Sequence, residues 1–330
     1  MRRLSTHLGN RLRQRLFHPE RFFLPERLSY LPHEALIETS DAKTTRESTA
    51  ALGSSKQGGD HPCVLGCIGS LEVRLATTKA ELRLAQKLRY RIFYEEMSAR
   101  PSWRNLLLKR DTDAFDSLCQ HLLVFDHDAS QTSGGTGPQL VGTYRMLSQE
   151  TADAHGGFYS NAEFAVDALT ARHRNLNFLE LGRSCVLKPY RSKRTVELLW
   201  HGIWSYVVNR KIDVLFGCAS LEGTDPKALM RPLSFLHHHA MVSDTWYVRA
   251  QPERRAPVPM LGADEIDTKA ALRELPPLIK GYLRLGAMIG DGAVVDDQFG
   301  TTDVLIVLPV ESISKRYINF YGTDASRRSS

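Results

Sequence analysis

Residues 178–200 read Phe178-Leu-Glu180-Leu-Gly182-Arg183-Ser184-Cys185-Val186-Leu-Lys-Pro189-Tyr-Arg191-Ser192-Lys193-Arg194-Thr195-Val-Glu-Leu198-Leu199-Trp200, and the rest of the domain can be built around them. Phe178 to Leu187 is apolar and rich in strand formers, and Pro189 ends it. Thr195 then caps a run in which Leu198, Leu199, Gly202, Ile203 and Tyr206 keep helical spacing. A strand that turns into a helix offers unpaired backbone N–H groups at the helix start, and Arg191, Lys193 and Arg194 surround this one with positive charge. The junction is predicted to hold an anion. On a straight strand Glu180 and Arg183 point to opposite faces. A bulge at Leu181 or Gly182 would re-aim one of them and splay the strand from its neighbour.

The 330 residues, 42% hydrophobic, suffice for one large soluble domain or two small ones, and no window approaches the apolar length of a membrane span. A net charge of +6 calls for an acidic partner: nucleic acid, anionic lipid or an acidic carrier protein. Nucleic acid is disfavoured, because no helix-turn-helix, zinc finger or aromatic-studded sheet is visible and the basic residues gather at one turn. Cysteines 63, 67, 119, 185 and 218 are odd in number and mostly lie in apolar runs, as expected of a protein of the reducing cytoplasm. His237, His238 and His239 are adjacent on a helix and point in different directions, so no metal site is expected.

Residues 1–19 contain no acid, several arginines, and Leu4, Leu8, Leu12 and Leu16 at a spacing of four. They predict a basic amphipathic helix within an N-terminal segment 1–40, suited to lying peripherally on an anionic membrane surface or to docking on the domain that follows; an organellar targeting peptide looks similar. A polar linker is expected over 41–69, the folded domain over 70–322, and a loose tail over 323–330. Within the domain, strands are predicted at Ser70–Leu75, His121–Asp126, Leu140–Leu147, Phe178–Leu187, Ile212–Ala219 and Thr302–Leu308. Helices are predicted at Lys79–Met97, Ala228–His239 and Leu275–Met288. Mixed strands with helices between them fit one α/β (α+β) domain.

The run Val186-x-x-Pro189-Tyr190-Arg191-x-Lys193, followed by Leu198-Leu199, resembles the acyl-carrier arm of the Gcn5-related acyltransferases. The resemblance implies a central mixed sheet with a splayed strand, flanked by helices, in which the strand pairs with pantetheine and the turn takes its phosphate. Ser184, Val186, Arg191, Lys193 and Arg194 are the matching positions. The glycines that would wrap a coenzyme A pyrophosphate are absent, with Ser192 and Thr195 in their place, which points to acyl carrier protein as donor. No cofactor is then bound by the chain itself; the 4'-phosphopantetheine arrives on the carrier.

Arg89 and Phe93, Asp113-Ala-Phe-Asp116, Val141-Gly-Thr-Tyr-Arg145 and Glu180-Leu-Gly-Arg183, in that order, resemble the acyl-homoserine-lactone synthases. Phe158-Tyr-Ser-x-x-Glu163-Phe, Phe216-Gly-Cys-Ala-Ser220 with Gly223-Thr-Asp-Pro226, and Leu275-Pro-Pro-Leu-Ile-Lys-Gly-Tyr-Leu-Arg-Leu-Gly286 look like a narrower relative, the ornithine N-acyltransferases that begin ornithine-lipid synthesis. The implied reaction is attack of the L-ornithine α-amine on a 3-hydroxyacyl thioester. An autoinducer synthase using S-adenosylmethionine, or a basic lipid-binding protein without activity, are the alternatives.

The residue types suit that chemistry. A dibasic amino acid needs a planar cation for its carboxylate, for which Arg145 and Arg183 are candidates, and acids for its amines, for which Asp113 and Asp116 are candidates. With Arg89 and Phe93 these make up the expected substrate-binding set. The same residues also suit plain ion pairs, Asp113 to Arg145 or Glu180 to Arg183. A free α-amine is partly protonated near neutral pH, so a base is wanted; Glu180 is the choice, with Arg183 beside it in the catalytic pair and Glu163 as competitor. No Ser-His-Asp order or Cys-His pair argues for an acyl-enzyme.

Overall fold

The computed structural model describes residues 64–129 and 137–313. The expected helix at 1–19, residues 41–63 of the expected linker, and the tail at 323–330 lie outside the described residues. A nine-stranded sheet is formed by β1 (Val64–Ile68), β2 (Leu71–Leu75), β3 (Gln120–Asp126), β4 (Gln139–Ser148), β5 (Phe178–Val186), β6 (Val214–Glu222), β7 (Met288–Ile289), β8 (Val294–Asp296) and β9 (Thr301–Pro309). Its order is β1-β2-β3-β4-β5-β6-β9-β7, with β8 also on β9. Every pairing is antiparallel except β5 with β6.

β1 corrects the expected linker at its C-terminal end. Val64, Leu65 and Ile68 supply strand formers, and Gly69, at φ +60°, closes a tight turn that pairs Ile68 with Leu71 and Cys67 with Glu72. Two helices cover opposite faces of the sheet. Helix α1 (Lys79–Tyr90) starts at a reciprocal Thr78–Glu81 capping box and runs on as a π-helical turn over Arg91–Glu96. A short helix α2 (Trp103–Leu108) follows. Helix α3 (Lys193–Arg210) is the crossover between parallel β5 and β6.

The α3 cap differs from expectation. Ser192, not Thr195, holds the N-cap and accepts the Thr195 N–H, while Thr195 is fully buried in the first turn. Leu198, Leu199, Ile203 and Tyr206 pack into the core, and a Cβ at Gly202 would lie 2.8 Å from Val73 and 3.0 Å from Leu122. On the other face Ala85 of α1 packs against Leu123 and Phe125. Leu122 and Leu123 thus look to opposite helices, as the period of two requires.

The feature that positions the site is a split between β5 and β6. They pair only at Phe178–Val214, Leu179–Leu215 and Glu180–Phe216, although β5 continues to Val186 and β6 to Glu222. At the point of divergence a Cβ on Gly217 would sit 2.1 Å from the Leu181 carbonyl oxygen, so only glycine permits the close approach from which the strands separate. On the far side of β5, Gly182 pairs with Arg145 and Cys185 with Thr143, which leaves Arg183 and Ser184 together opposite Tyr144. This is a β-bulge, and Arg183 takes it at φ +51°. The bulge lies one residue beyond the expected Leu181 or Gly182. Gly182 itself borders open space, with nothing within 4 Å of where its Cβ would be.

Candidate active site

The α1 face of the sheet carries a buried lattice of three arginines and three aspartates. Arg89 is fully buried. Its Nε lies 2.9 Å from Asp111, and its Nη2 donates to Asp116 at 2.8 Å and to the Asp111 carbonyl at 2.5 Å. Arg145, from β4, reaches Asp113 at 2.6 Å and Asp116 at 3.3 Å. Arg183 reaches Asp113 at 3.3 Å and Asp111 at 3.4 Å. Gln86 donates to Asp116 at 2.9 Å and Tyr94 to Asp111 at 3.0 Å. Three formal positive and three formal negative charges balance in this cluster, so each buried charge has an opposite one in contact. Burial pushes the Asp113 carboxyl up, but Arg145 and then Arg183 outweigh it and hold the group below the usual carboxylate range.

Most of the expected substrate-binding set is therefore engaged internally. Asp116, Arg89 and Arg145 spend their charges on one another, and the Asp113–Arg145 contact is the structural ion pair the sequence also allowed. Glu180 and Arg183 do not pair. They meet instead at the turn Tyr159–Ala162: Glu180 accepts the Tyr159 N–H and the Ser160 N–H, each at 2.8 Å, and the Ser160 hydroxyl, while Arg183 donates to the Tyr159 hydroxyl at 3.3 Å. The Arg183 guanidinium also stacks on the Tyr159 ring at 5.0 Å and the Phe299 ring at 4.8 Å. Its side chain keeps 14% exposure, against 5% for Arg145. Arg183 is thus the more reachable of the two cations.

Across the split lies an acidic group that the sequence reading did not assemble. Carboxylate oxygens of Glu163, Asp296 and Asp303 lie within 4.8 Å of one another. Glu163 is also linked to β6, since the Cys218 thiol lies 3.4 Å from its carboxylate and 3.3 Å from the Ser160 hydroxyl. A continuous polar chain, Glu180–Ser160–Cys218–Glu163, therefore crosses from β5 to β6 where they part. Burial, and then the charge of Asp303, push the Glu163 carboxyl up to about 7. Burial also raises the Glu180 carboxyl, partly offset by its Ser160 and Tyr159 donors.

The turn residues are dispersed more widely. Arg191 Nε donates to the Val186 carbonyl at 3.0 Å and its guanidinium meets Glu96 at 2.5 Å; Lys193 pairs with Glu197 at 3.4 Å; Arg194 lies over Gly69. Val186 ends β5 on the split side of Glu180. Ser184 sits in the bulge opposite Tyr144, whose hydroxyl meets that of Tyr282 at 2.7 Å. Phe93, half-buried, stacks edge-on against Phe299 at 5.6 Å. His238 lies 2.8 Å from the Leu261 carbonyl, apart from this region in contacts.

Residues 88–201 match the acetyltransferase (GNAT) domain, in agreement with the mixed sheet and its split. Over 303 residues the chain is 50% identical to an L-ornithine N(α)-acyltransferase of Rhizobium meliloti (strain 1021), covering 92% of this chain and 98% of that protein. Over 264 residues it is 53% identical to the L-ornithine N(α)-acyltransferase of Brucella abortus (strain 2308), covering 80% of this chain and 93% of that protein.

The chain belongs to the L-ornithine N(α)-acyltransferase family.

Among solved structures, an N-acyl amino acid synthase from uncultured soil microbes overlays 73% of this chain and 91% of its own at 12% identity, with a TM-score of 0.40. Of the residues that this member of the ornithine acyltransferase family brings to the split beyond the expected set, one had a legible signal. Asp303 is the single carboxylate of β9, set between two threonines and the apolar run Val304–Leu308, and a charge in a buried strand wants an explanation. Asp111, Tyr159 and Asp296 had no such marker; only folding brings them to Arg183 and Glu163.

Proposed function

We propose that this chain transfers a 3-hydroxyacyl group from acyl carrier protein to the α-amine of L-ornithine, giving lyso-ornithine lipid. The observation that carries the reading is the opening between β5 and β6 beyond Glu180, with Arg183 on one wall and the acidic trio on the other. The pantetheine arm of the carrier enters this opening alongside β5, and the basic turn at Arg191, Lys193 and Arg194 faces its phosphate. The donor brings that prosthetic group, so no cofactor resident on the chain is invoked.

L-ornithine is an amino acid with two amines, and the walls match it. Arg183 takes the carboxylate, because Arg145 is already saturated by Asp113 and Asp116. Asp303 and Asp296 take the side-chain ammonium, where crowded carboxylates gain most from a cation, and Glu163, which has the Arg254 guanidinium 3.9 Å away, is left to the α-amine. Glu163 replaces Glu180 as the base in this reading. Its pKa of about 7 lets it accept a proton at neutral pH, whereas Glu180 is held by three donors from Tyr159 and Ser160. The α-amine nitrogen attacks the thioester carbon as Glu163 takes its proton. The carbon–nitrogen bond forms, the carbon–sulfur bond breaks, and the departing thiolate takes the proton from Glu163, giving free carrier thiol and restoring the carboxylate. The polar network Glu180–Ser160–Cys218 orients Glu163.

The chain acts in the cytoplasm in this reading, with residues 1–19 holding it at an anionic membrane face where its lipid product accumulates. Incubation with 3-hydroxyacyl carrier protein and separate amines tests the reaction. L-ornithine-dependent thiol release is expected. Release that requires S-adenosylmethionine instead would overturn the reading.

A further inference from the structure

Helix α2 is built inside out. Its buried residue is polar: Asn105 accepts the Thr112 N–H at 3.2 Å and the Thr112 hydroxyl at 2.8 Å, and donates toward Tyr94 at 3.4 Å. Its outward residues are apolar, with Trp103 78%, Leu107 74% and Leu106 52% exposed, and Met97 just before the helix 53% exposed. A soluble helix of ordinary design shows the reverse. The helix is not loose: Ser102 caps it, Lys109 ends it in a left-handed turn, and Asn105 pins it to the core.

Basic residues flank the helix in sequence, the acids before Met97 being Glu95 and Glu96, of which Glu96 pairs with Arg191. From Arg100 to Arg110 the sequence holds Arg100, Arg104, Lys109 and Arg110 and no acid. Tryptophan and leucine projecting outward amid arginine and lysine is the pattern of a segment that lies in the headgroup region of a bilayer. We infer that α2 is a membrane-contact element, inserting Trp103, Leu106 and Leu107 into an anionic lipid surface while the exposed Arg100 and Arg104 engage headgroups.

Charge decides among the occupants. Residues 1–19 carry no acid, so covering α2 with that segment would set like charge against like. An anionic bilayer complements both. The position also fits a lipid-forming reaction: Tyr94, which contacts Asn105 of α2, also contacts Asp111 beside Arg183, and the Arg100 N–H donates to Gln298, next to Phe299 on which Arg183 stacks. Docking through α2 brings the Arg183 wall of the split toward the membrane. This inference adds to the reaction proposed above and does not require its acyl donor.

The test uses the full chain, with no acyl donor or ornithine present, so its outcome is independent of the proposed chemistry. Sedimentation with vesicles of phosphatidylglycerol and phosphatidylcholine is expected to carry the protein down, and pure phosphatidylcholine much less. Arg100→Gln and Arg104→Gln are expected to weaken binding by about fivefold each. Trp103→Ser with Leu107→Ser is expected to weaken it by about tenfold or more. Brominated lipids are expected to quench tryptophan emission in the parent protein and to lose most of that effect in Trp103→Phe, a variant that keeps the shape of the fold. Quenching unchanged in Trp103→Phe overturns the inference, because residues 1–19 contain no tryptophan and binding would then run through another surface. Intact vesicle binding in the serine pair, with weakened carrier-protein affinity, overturns it in favour of a carrier-docking face.

Discussion

Glu163→Gln separates chemistry from stability in one substitution. The Glu163 carboxyl, raised by burial and by Asp303 to about 7, is about one-tenth ionised at pH 6 and about nine-tenths at pH 8. As base it should lift kcat/KM about tenfold between those values, beyond any titration of the substrate amine itself. Dividing the parent's rates by those of Glu163→Gln at each pH cancels the substrate's contribution. The ratio should rise about tenfold from pH 6 to pH 8, and the variant should lose about 10²- to 10⁴-fold at pH 8. Stability should move the other way. A carboxyl whose folded pKa lies above its unfolded value stabilises the fold fully below about 4.5 and loses that contribution as pH rises through 7. The rise from 4.5 to about 7 corresponds to about 3 kcal/mol, so Glu163→Gln should be more stable than the parent by up to that amount at pH 8 and equal to it near pH 4. Stopped-time thiol release and urea unfolding across the range supply both curves. A rate ratio that stays flat from pH 6 to pH 8 refutes the assignment of Glu163 as base, whatever the stability does.

Gly217→Ala should cost about 2 kcal/mol or more in urea unfolding, because its Cβ would lie 2.1 Å from the Leu181 carbonyl, whereas Gly182→Ala, facing open space, should fold normally and raise KM for the acyl carrier; equal stability of the two variants would contradict the close crossing at the split. Glu180→Gln should destabilise by about 2 to 4 kcal/mol, since an amide cannot accept all the donors from Tyr159 and Ser160, and should leave the pH dependence of the rate in place. A lost pH dependence would restore Glu180 as base. Arg191→Ala with Lys193→Ala should weaken carrier-protein binding at low salt and matter little at high salt, as titration calorimetry would read; a salt-independent loss moves the contact elsewhere.

How far the sequence carries the site can be followed along β5. Its strand character, the helix after it and the basic corner between them are local, set by side-chain period and by Pro189, and they were legible without a structure. The bulge was legible only as a requirement. Glu180 and Arg183 had to be re-aimed, but pairing with β4 put the extra residue at Arg183 rather than at Gly182, and that pairing involves residues near position 145. The aspartates of the loop before β3 were visible as acids, not as partners. Their commitment to Arg89, Arg145 and Arg183 follows from burial, which forces each charge to find its opposite.

The α/β succession, the strand-turn-helix core and the family's distinctive runs are written in the chain itself, because they depend on neighbours a few positions apart. Which carboxylate can act as base is not written there. Glu163 precedes Asp303 by 140 positions, and its raised pKa comes from burial against that second charge, a property that exists once the strands are assembled.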